Sequence, residues 1–357
     1  MKQYQNLLQN ILKNGVEKES GRANMPNTIG ISHGVIQMNL QEGFPLLTTK
    51  KMYWKGIVHE LLWFLHGNTN IKYLVDNNVN IWNDDAYRWY LKLHNDYDVQ
   101  QSPLIMDEFI NIIKTNDTIT KYFWFSKMGT TIDYKLGDLG KVYGYQWRNQ
   151  NGVDQIKDII DGLKRNPYSR YHILDGWNMA DFKDMALPPC HLLYQFIVRP
   201  IPQDERDKWA WDNGLKSAYQ KELPKTYDEW TKWLDEHNVP KFYLDLNMYQ
   251  RSCDTFLGIP FNCASMSLLL MIMAKASNML NGVATWIGGD THLYLDHIPM
   301  VKEQLGREPY SLPKMKINKQ ISSLEDILNL NIDDFELIDY VSHDAIKAEL
   351  FTGLKKQ

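Results

Sequence analysis

The chain has 357 residues, 44% of them hydrophobic and 23% charged, close to the globular averages of about 45–50% and about 25%. That balance excludes a disordered chain, and the length allows one large domain or two. With 39 Lys and Arg against 43 Asp and Glu the net charge is −4, so there is no basic surplus for nucleic acid or an anionic membrane.

The N-terminal MKQYQNLLQNILKNG reads as an amphipathic helix with Leu7, Leu8, Ile11 and Leu12 on one face. It has neither the apolar region nor the cleavage site of a signal peptide. IGISHGVIQMNL is strand-like and GIVHELLWFLHG is a strongly apolar helix. Residues 87–137 are polar and weakly patterned, and read as an insertion with small elements of its own. VDQIKDIIDGLKRNP is a helix stopped by its proline, RYHILDGWN a strand and HLLYQFIV a buried strand. Residues 200–240 form a second polar insertion, with DEWTKWLDEH as a helix. KFYLDLNMYQRS alternates as a strand, a buried helix opens near Ser265, and ATWIGGDTHLYLDH is a strand running into a loop. Strands and helices mix without regular βαβ spacing, which predicts an α+β fold. The longest apolar run, Leu268 to Ala274, is far short of the roughly 20 residues of a membrane span. Three cysteines without a CxxC pair suit a reducing cytoplasm and show no zinc-ligand spacing.

Several side chains could carry chemistry. Cys190 follows two prolines and precedes His191; taken alone it reads as a buried structural thiol before it reads as a nucleophile. Gln250, Arg251 and Ser252 end a strand, where a guanidinium fork and a hydroxyl suit a phosphate. Asn262 offers donor and acceptor together, as a uracil edge requires, or else caps the following helix. His292 and Tyr294 share a strand face and could hold a sugar hydroxyl or pack as a core pair. Glu60 lies among apolar side chains, where a carboxylate needs a partner or a proton-relay role.

In this order the motifs resemble the thymidylate synthase family. The matching stretches are GFPLLTTKK (43–51), HELLWFL (59–65), IW (81–82), GDLGKVYGYQWR (137–148), NPYSR (166–170), MALPPCH (185–191), QRS (250–252), FLGIPFN (256–262), GDTHLY (289–294) and IKA (346–348). They span nearly the whole chain outside the two insertions. The resemblance implies one catalytic domain, residues 1–357, with a mixed sheet, flanking helices and a homodimer formed by sheets back to back. It implies dUMP as substrate, 5,10-methylenetetrahydrofolate as co-substrate and no metal. Cys190 would attack C6 of the uracil and Asn262 would read its edge. His292 and Tyr294 would take the deoxyribose hydroxyl. Arg22, Arg251, Ser252 and, across the dimer, Arg170 would hold the phosphate, with Gln250 beside them. Glu60 would manage protons, and Lys50, Trp82, Asp254 and Tyr143 would line the folate or reaction pocket. Relatives acting on dCMP carry Asp where this chain has Asn262, so dUMP is expected.

Four departures from the family pattern stand out. Of the phosphate loop RTGTGT only Arg22 remains; the second of two paired arginines is Tyr171; Asn83, Asp84 and Asp85 follow Trp82; and the chain runs about five residues past the usual terminus. An altered lid admits water to the methylene carbon in place of hydride. These departures favour a deoxyuridylate hydroxymethylase, a class found in phages with modified DNA bases, over a hydride-transferring synthase. A retired relative acting as an RNA-binding regulator, or a structural protein, fits less well with the retained Cys190, Asn262, His292 and Tyr294.

Overall fold

The computed structural model describes the chain except residues 22, 23, 97–101, 116–121, 128, 129, 223, 225 and 354–357, and describes only the backbone at 122–127 and 130–133. Arg22 therefore lies outside the described residues. The strands are β1 (Val16–Lys18), β2 (Thr28–Ile31), β3 (Gly34–Asn39), β4 (Tyr122–Lys127), β5 (Thr130–Lys135), β6 (Ile173–Asp175), β7 (His191–Pro200), β8 (Phe242–Asp254), β9 (Leu280–Tyr294), β10 (Lys314–Ile317) and β11 (Phe335–Ile338). A seven-stranded mixed sheet runs β1-β2-β9-β8-β7-β6, with β3 on the same side of β9 as β2. Only β8 and β9 are parallel. Their connection is the helix Gly258–Ala276, as a parallel pair requires.

That helix lies at the centre of the protein. It is apolar on every side, and 15 of its residues from Ile259 to Ala276 are buried. By length and composition it is long and apolar enough to cross a membrane, but 78% of its most apolar window is buried inside the protein. It packs on β8, on β9 and on the helix Trp54–Leu65, itself buried from Gly56 to Leu65. Along β8 the side chains Leu244, Leu246, Met248 and Gln250 face this core, as the period of two dictates. The amphipathic start is the helix Lys2–Asn14, which buries Tyr4, Leu7, Leu8 and Ile11 and leaves Leu12 half-buried.

Two boundaries differ from the sequence reading, each for a local reason. The central helix opens at Gly258 rather than near Ser265. Pro260 is tolerated there because first-turn amides have no helical acceptor, and Asp254 Oδ1 accepts from the amides of Phe256 and Leu257 at 3.0 and 3.1 Å. Asn262 is thus a helical residue, not a cap. The strand read in RYHILDGWN shrinks to the three residues of β6.

The two polar stretches behave differently. From the first, Trp89, Tyr90, Leu93, Phe109 and Ile113 join the main core. The second folds around a small core of Ala210, Trp233, Leu234 and Val239. There Trp211, Trp230, Trp233 and His237 stack ring on ring.

The loop 137–143 is stitched to the loop 184–190. Lys141 N donates to Asp184 O (2.9 Å) and Ala186 N to Leu139 O (2.8 Å). Gly140 makes this possible with φ +74°, and a Cβ there would meet Asp184 O at 2.0 Å. Gly140→Ala is expected to lower the unfolding free energy by about 1–3 kcal/mol in urea denaturation; an unchanged midpoint would show that the loops are not clamped.

Candidate active site

The residues singled out in the sequence come from distant elements and meet at one cavity of about 340 Å³. Cys190 precedes β7; Gln250, Ser252 and Asp254 come from the end of β8; His292 and Tyr294 from the end of β9. The first turns of the central helix bring Asn262, the buried helix Trp54–Leu65 brings Glu60, and Trp82 and Tyr143 complete this group.

Cys190 sits on a loop that its own prolines cannot secure, since proline has no N–H to donate. Arg251 secures it from β8. Its Nε and one Nη donate to the carbonyls of Pro189 and Pro188, both at 2.8 Å, and its backbone N donates to Cys190 O at 2.9 Å. The Cys190 amide donates to Tyr143 Oη at 2.7 Å. Burial, with Cys190 close by, raises the Tyr143 phenol well above its ordinary pKa. Tyr143 therefore stays a neutral hydroxyl. Its ring stacks on Phe64, 5.0 Å between centroids, and meets Trp82 edge-on at 5.5 Å.

The orientation of Asn262 follows from a donor that has no alternative role. The buried indole Nε1 of Trp286 can only donate, and it does so to Gln250 Oε1 at 2.9 Å. Gln250 Nε2 must then face Asn262, where it donates to Oδ1 at 3.1 Å, and also to Ser252 O at 3.0 Å. With its oxygen committed as acceptor, Asn262 keeps its amide N–H for the cavity. Beside it, burial pushes the His191 imidazole down to about 4, opposed by its contact with Asn262, so the ring is neutral. Its Nδ1 has no partner among the described residues.

Glu60 is 9% exposed and accepts from Trp82 Nε1 at 2.8 Å. Burial pushes its carboxyl up to about 7, with the indole bond opposing. It can therefore hold or release a proton at neutral pH. His292 Nδ1 donates to Asp290 O at 3.1 Å, which leaves Nε2 for another partner. Its ring meets Tyr294 edge-on at 5.4 Å.

Other expected residues stand further back. Lys50 is buried, and its Nζ donates to Phe256 O at 2.6 Å and lies 3.9 Å over the Phe256 ring. Burial pulls its pKa down to about 8, with Asp254 opposing. Lys50 and Arg251 are not on the cavity wall, and Arg170 is exposed away from it. The wall also includes Lys18 and Leu187, which the sequence did not single out, together with Asp85 and the C-terminal Leu350, Phe351 and Thr352, which it marked only as departures from the family pattern. The last three belong to a stretch without helix or strand, and nothing in their pattern points to a site. His191 was visible only as the neighbour of Cys190. No group of three or more His, Cys, Asp or Glu suited to a metal occurs among the described residues.

A mixed sheet packed on a buried helix brings a thiol, an amide and a carboxyl to one cavity, the arrangement of an enzyme site. The chain belongs to the thymidylate synthase family, whose match spans residues 2–352. It is 42% identical over 352 residues to the thymidylate synthase of Malacoplasma penetrans, covering 98% of this chain and 99% of that one. Those of Mycoplasma mobile and Mesoplasma florum are 40% and 38% identical with the same coverage. These alignments run through both polar stretches and almost to the C-terminus, so the relatives are of nearly equal length. That corrects the expectation of a hydroxymethylase: proteins sharing this length bear the name thymidylate synthase. The physical reason for the error is that a longer tail was read as an opened lid, whereas Leu350, Phe351 and Thr352 of that tail form part of the cavity wall.

Since the folded-state pKa of Glu60 lies above its ordinary 4.5, the native protein binds the extra proton and loses stability as pH rises from there toward 7. Glu60→Gln keeps an acceptor for Trp82. It is expected to gain stability over the native chain between pH 5 and pH 8, by up to about 3 kcal/mol in urea unfolding. A difference independent of pH would place Glu60 in an ordinary carboxylate environment.

Proposed function

We propose that the chain converts dUMP to dTMP, the thymidylate synthase reaction, in a single catalytic domain. The observation that carries this reading is that Cys190 and an orientation-locked Asn262 face the same cavity. Cys190 Sγ bonds to C6 of the uracil, and the electron pair of the C5–C6 double bond moves toward C5 and O4. Asn262 Nδ2 donates to O4 as its charge builds, while its oxygen meets N3–H. Cytosine presents an amino group in place of O4. To accept from it, Asn262 would have to break its bond from Gln250, and that relay makes the site selective for dUMP.

His292 Nε2 and Tyr294 Oη hold the deoxyribose hydroxyl. Ser252, Arg22 and Arg170 of the partner subunit hold the phosphate, with Arg251 anchoring the loop beside them. Glu60 moves protons at O4 and C5 through water, as its near-neutral pKa allows.

The remaining cavity suits a reduced folate: Ile81, Trp82, Leu187 and Phe351 offer apolar walls for a flat ring, and the Asp254 carboxylate offers an acceptor for its N–H groups. When bound, 5,10-methylenetetrahydrofolate supplies both the one-carbon unit and the hydride that reduces it. Phe351 and its neighbours exclude water from the reacting carbon. A free catalytic thiol suits a reducing compartment such as the cytoplasm.

The dimer is part of this reading. On the sheet face turned away from the central helix, Val35, Ile287, Tyr249 and Leu193 lie side by side in register across β3, β9, β8 and β7. Val35 and Tyr249 are 54% and 42% exposed, and Ile197 lies exposed nearby on β7. An apolar row on an open sheet face is what a second copy would cover.

Two outcomes are expected. 5-Fluoro-dUMP with 5,10-methylenetetrahydrofolate should form a complex with the chain that survives denaturation and is seen as added mass, and Cys190→Ala should abolish it and lower kcat by on the order of 10⁴. Trapping by the Cys190→Ala chain would refute the nucleophile. Tyr249→Glu should shift the sedimentation coefficient from dimer to monomer and remove activity, because the partner's arginine is lost with the interface; a monomeric native protein with full activity would refute the dimer.

A further inference from the structure

The C-terminal segment crosses the molecule as an extended strap, with no helix or strand from residue 340 to 353. It is therefore held by separate contacts with the body rather than by a continuous backbone ladder. His343 N donates to Thr48 O at 2.8 Å, and Arg307 Nη donates to Asp344 O at 2.6 Å. His297 Nε2 donates to Glu349 O at 2.9 Å. Phe351 then lodges between Tyr294 and His297, with ring centroids 4.9 Å from each.

The last fastening comes from the helix Asn83–Asp96, at the segment where the sequence departs from its family. Thr352 Oγ1 donates to Asp84 Oδ2 at 2.8 Å. Arg88 donates to Thr352 O through one Nη and pairs with Asp85 through the other. Asp85 and Thr352 both line the cavity. The carboxylates after Trp82 are thus turned to the strap.

We infer that Asp84 and Arg88 are positioning residues that latch the strap shut, so that Phe351 is held against Tyr294 as a wall of the cavity. This rests on the proposed reaction for its consequence. With the strap seated, the cavity measures about 340 Å³, at the low end of the range of about 300–1,000 Å³ for one small-molecule site. Two co-substrates have to enter it, so the strap has to lift and return. The latch acts at the strap's far end, on the helix that follows Trp82, through contacts that involve neither Cys190 nor Asn262. Its loss should therefore weaken retention of the folate more than binding of the nucleotide.

The test uses the full-length protein and needs no turnover for its first arm. Trypsin cleavage after Lys347, an exposed residue of the strap, reports how often the strap lifts. Arg88→Ala should speed that cleavage about tenfold, the effect of losing one charged hydrogen bond. Asp84→Ala and Thr352→Val should each speed it less, and together no more than either alone, since they remove the same contact. In the second arm, KM for the folate should rise about tenfold in Arg88→Ala, with dUMP affinity by calorimetry within about twofold of native and Arg88→Lys recovering part of the loss. Native cleavage rates in all the variants, or additive effects of Asp84→Ala and Thr352→Val, would overturn the latch. Faster cleavage with an unchanged folate KM would overturn its positioning role. Absence of dTMP from the native protein would count against the reaction itself, while the trypsin arm would still judge the latch.

Discussion

The site depends first on how a proline pair is held. Pro188 and Pro189 stiffen the chain ahead of Cys190 but offer no amide to bind a neighbouring strand. Their carbonyls are open, and Arg251 takes both of them with one guanidinium. The thiol loop is thereby fixed to β8, the strand that also carries Gln250, Ser252 and Asp254. Tyr143 fixes it from the other side through the Cys190 amide, and Tyr143 is placed by a glycine turn welded to residues 184–186. One guanidinium and one neutral hydroxyl hold the Cys190 thiol loop between two parts of the chain far apart in sequence.

The same economy appears in the amide relay and the buried carboxyl. Trp286, Gln250 and Asn262 form a line in which each orientation follows from an indole that can only donate. Glu60 works in the opposite sense, since its burial costs stability when it is charged and so keeps its proton within reach near neutral pH. Folding stabilises an arrangement that none of these residues would favour alone. The closed, largely apolar helix pair behind them, Trp54–Leu65 and Gly258–Ala276, supplies the burial that makes it possible.

Much of this was legible in the sequence, and what was missed has a common cause. Alternation along KFYLDLNMYQRS and the apolar run after Ser265 announce a strand and a buried helix, because periodicity reports which face is dry. Cys190, Asn262, Glu60, His292 and Tyr294 stood out because each is a polar group in a place where burial demands a reason. Arg251 was expected to face an anion, and in the structure its Nε and one Nη clasp the loop; a guanidinium suits carbonyls as well as phosphate, and spacing does not distinguish them. The course of the strap was not legible because an extended segment has no period, and its contacts with Asp84 and Arg88 join residues more than 260 positions apart. The tail was consequently misread as a lid left open, and the narrower functional expectation failed with it.

The measurement closest to the central claim follows the fate of the one-carbon unit. Purified protein is given dUMP and 5,10-methylenetetrahydrofolate, and the nucleotide product is weighed by mass spectrometry while dihydrofolate is followed by its absorbance. A site whose wall of Phe351 and Thr352 excludes water from the reacting carbon predicts dTMP and dihydrofolate in equal amounts. A nucleotide product formed without matching dihydrofolate would contradict that account of closure.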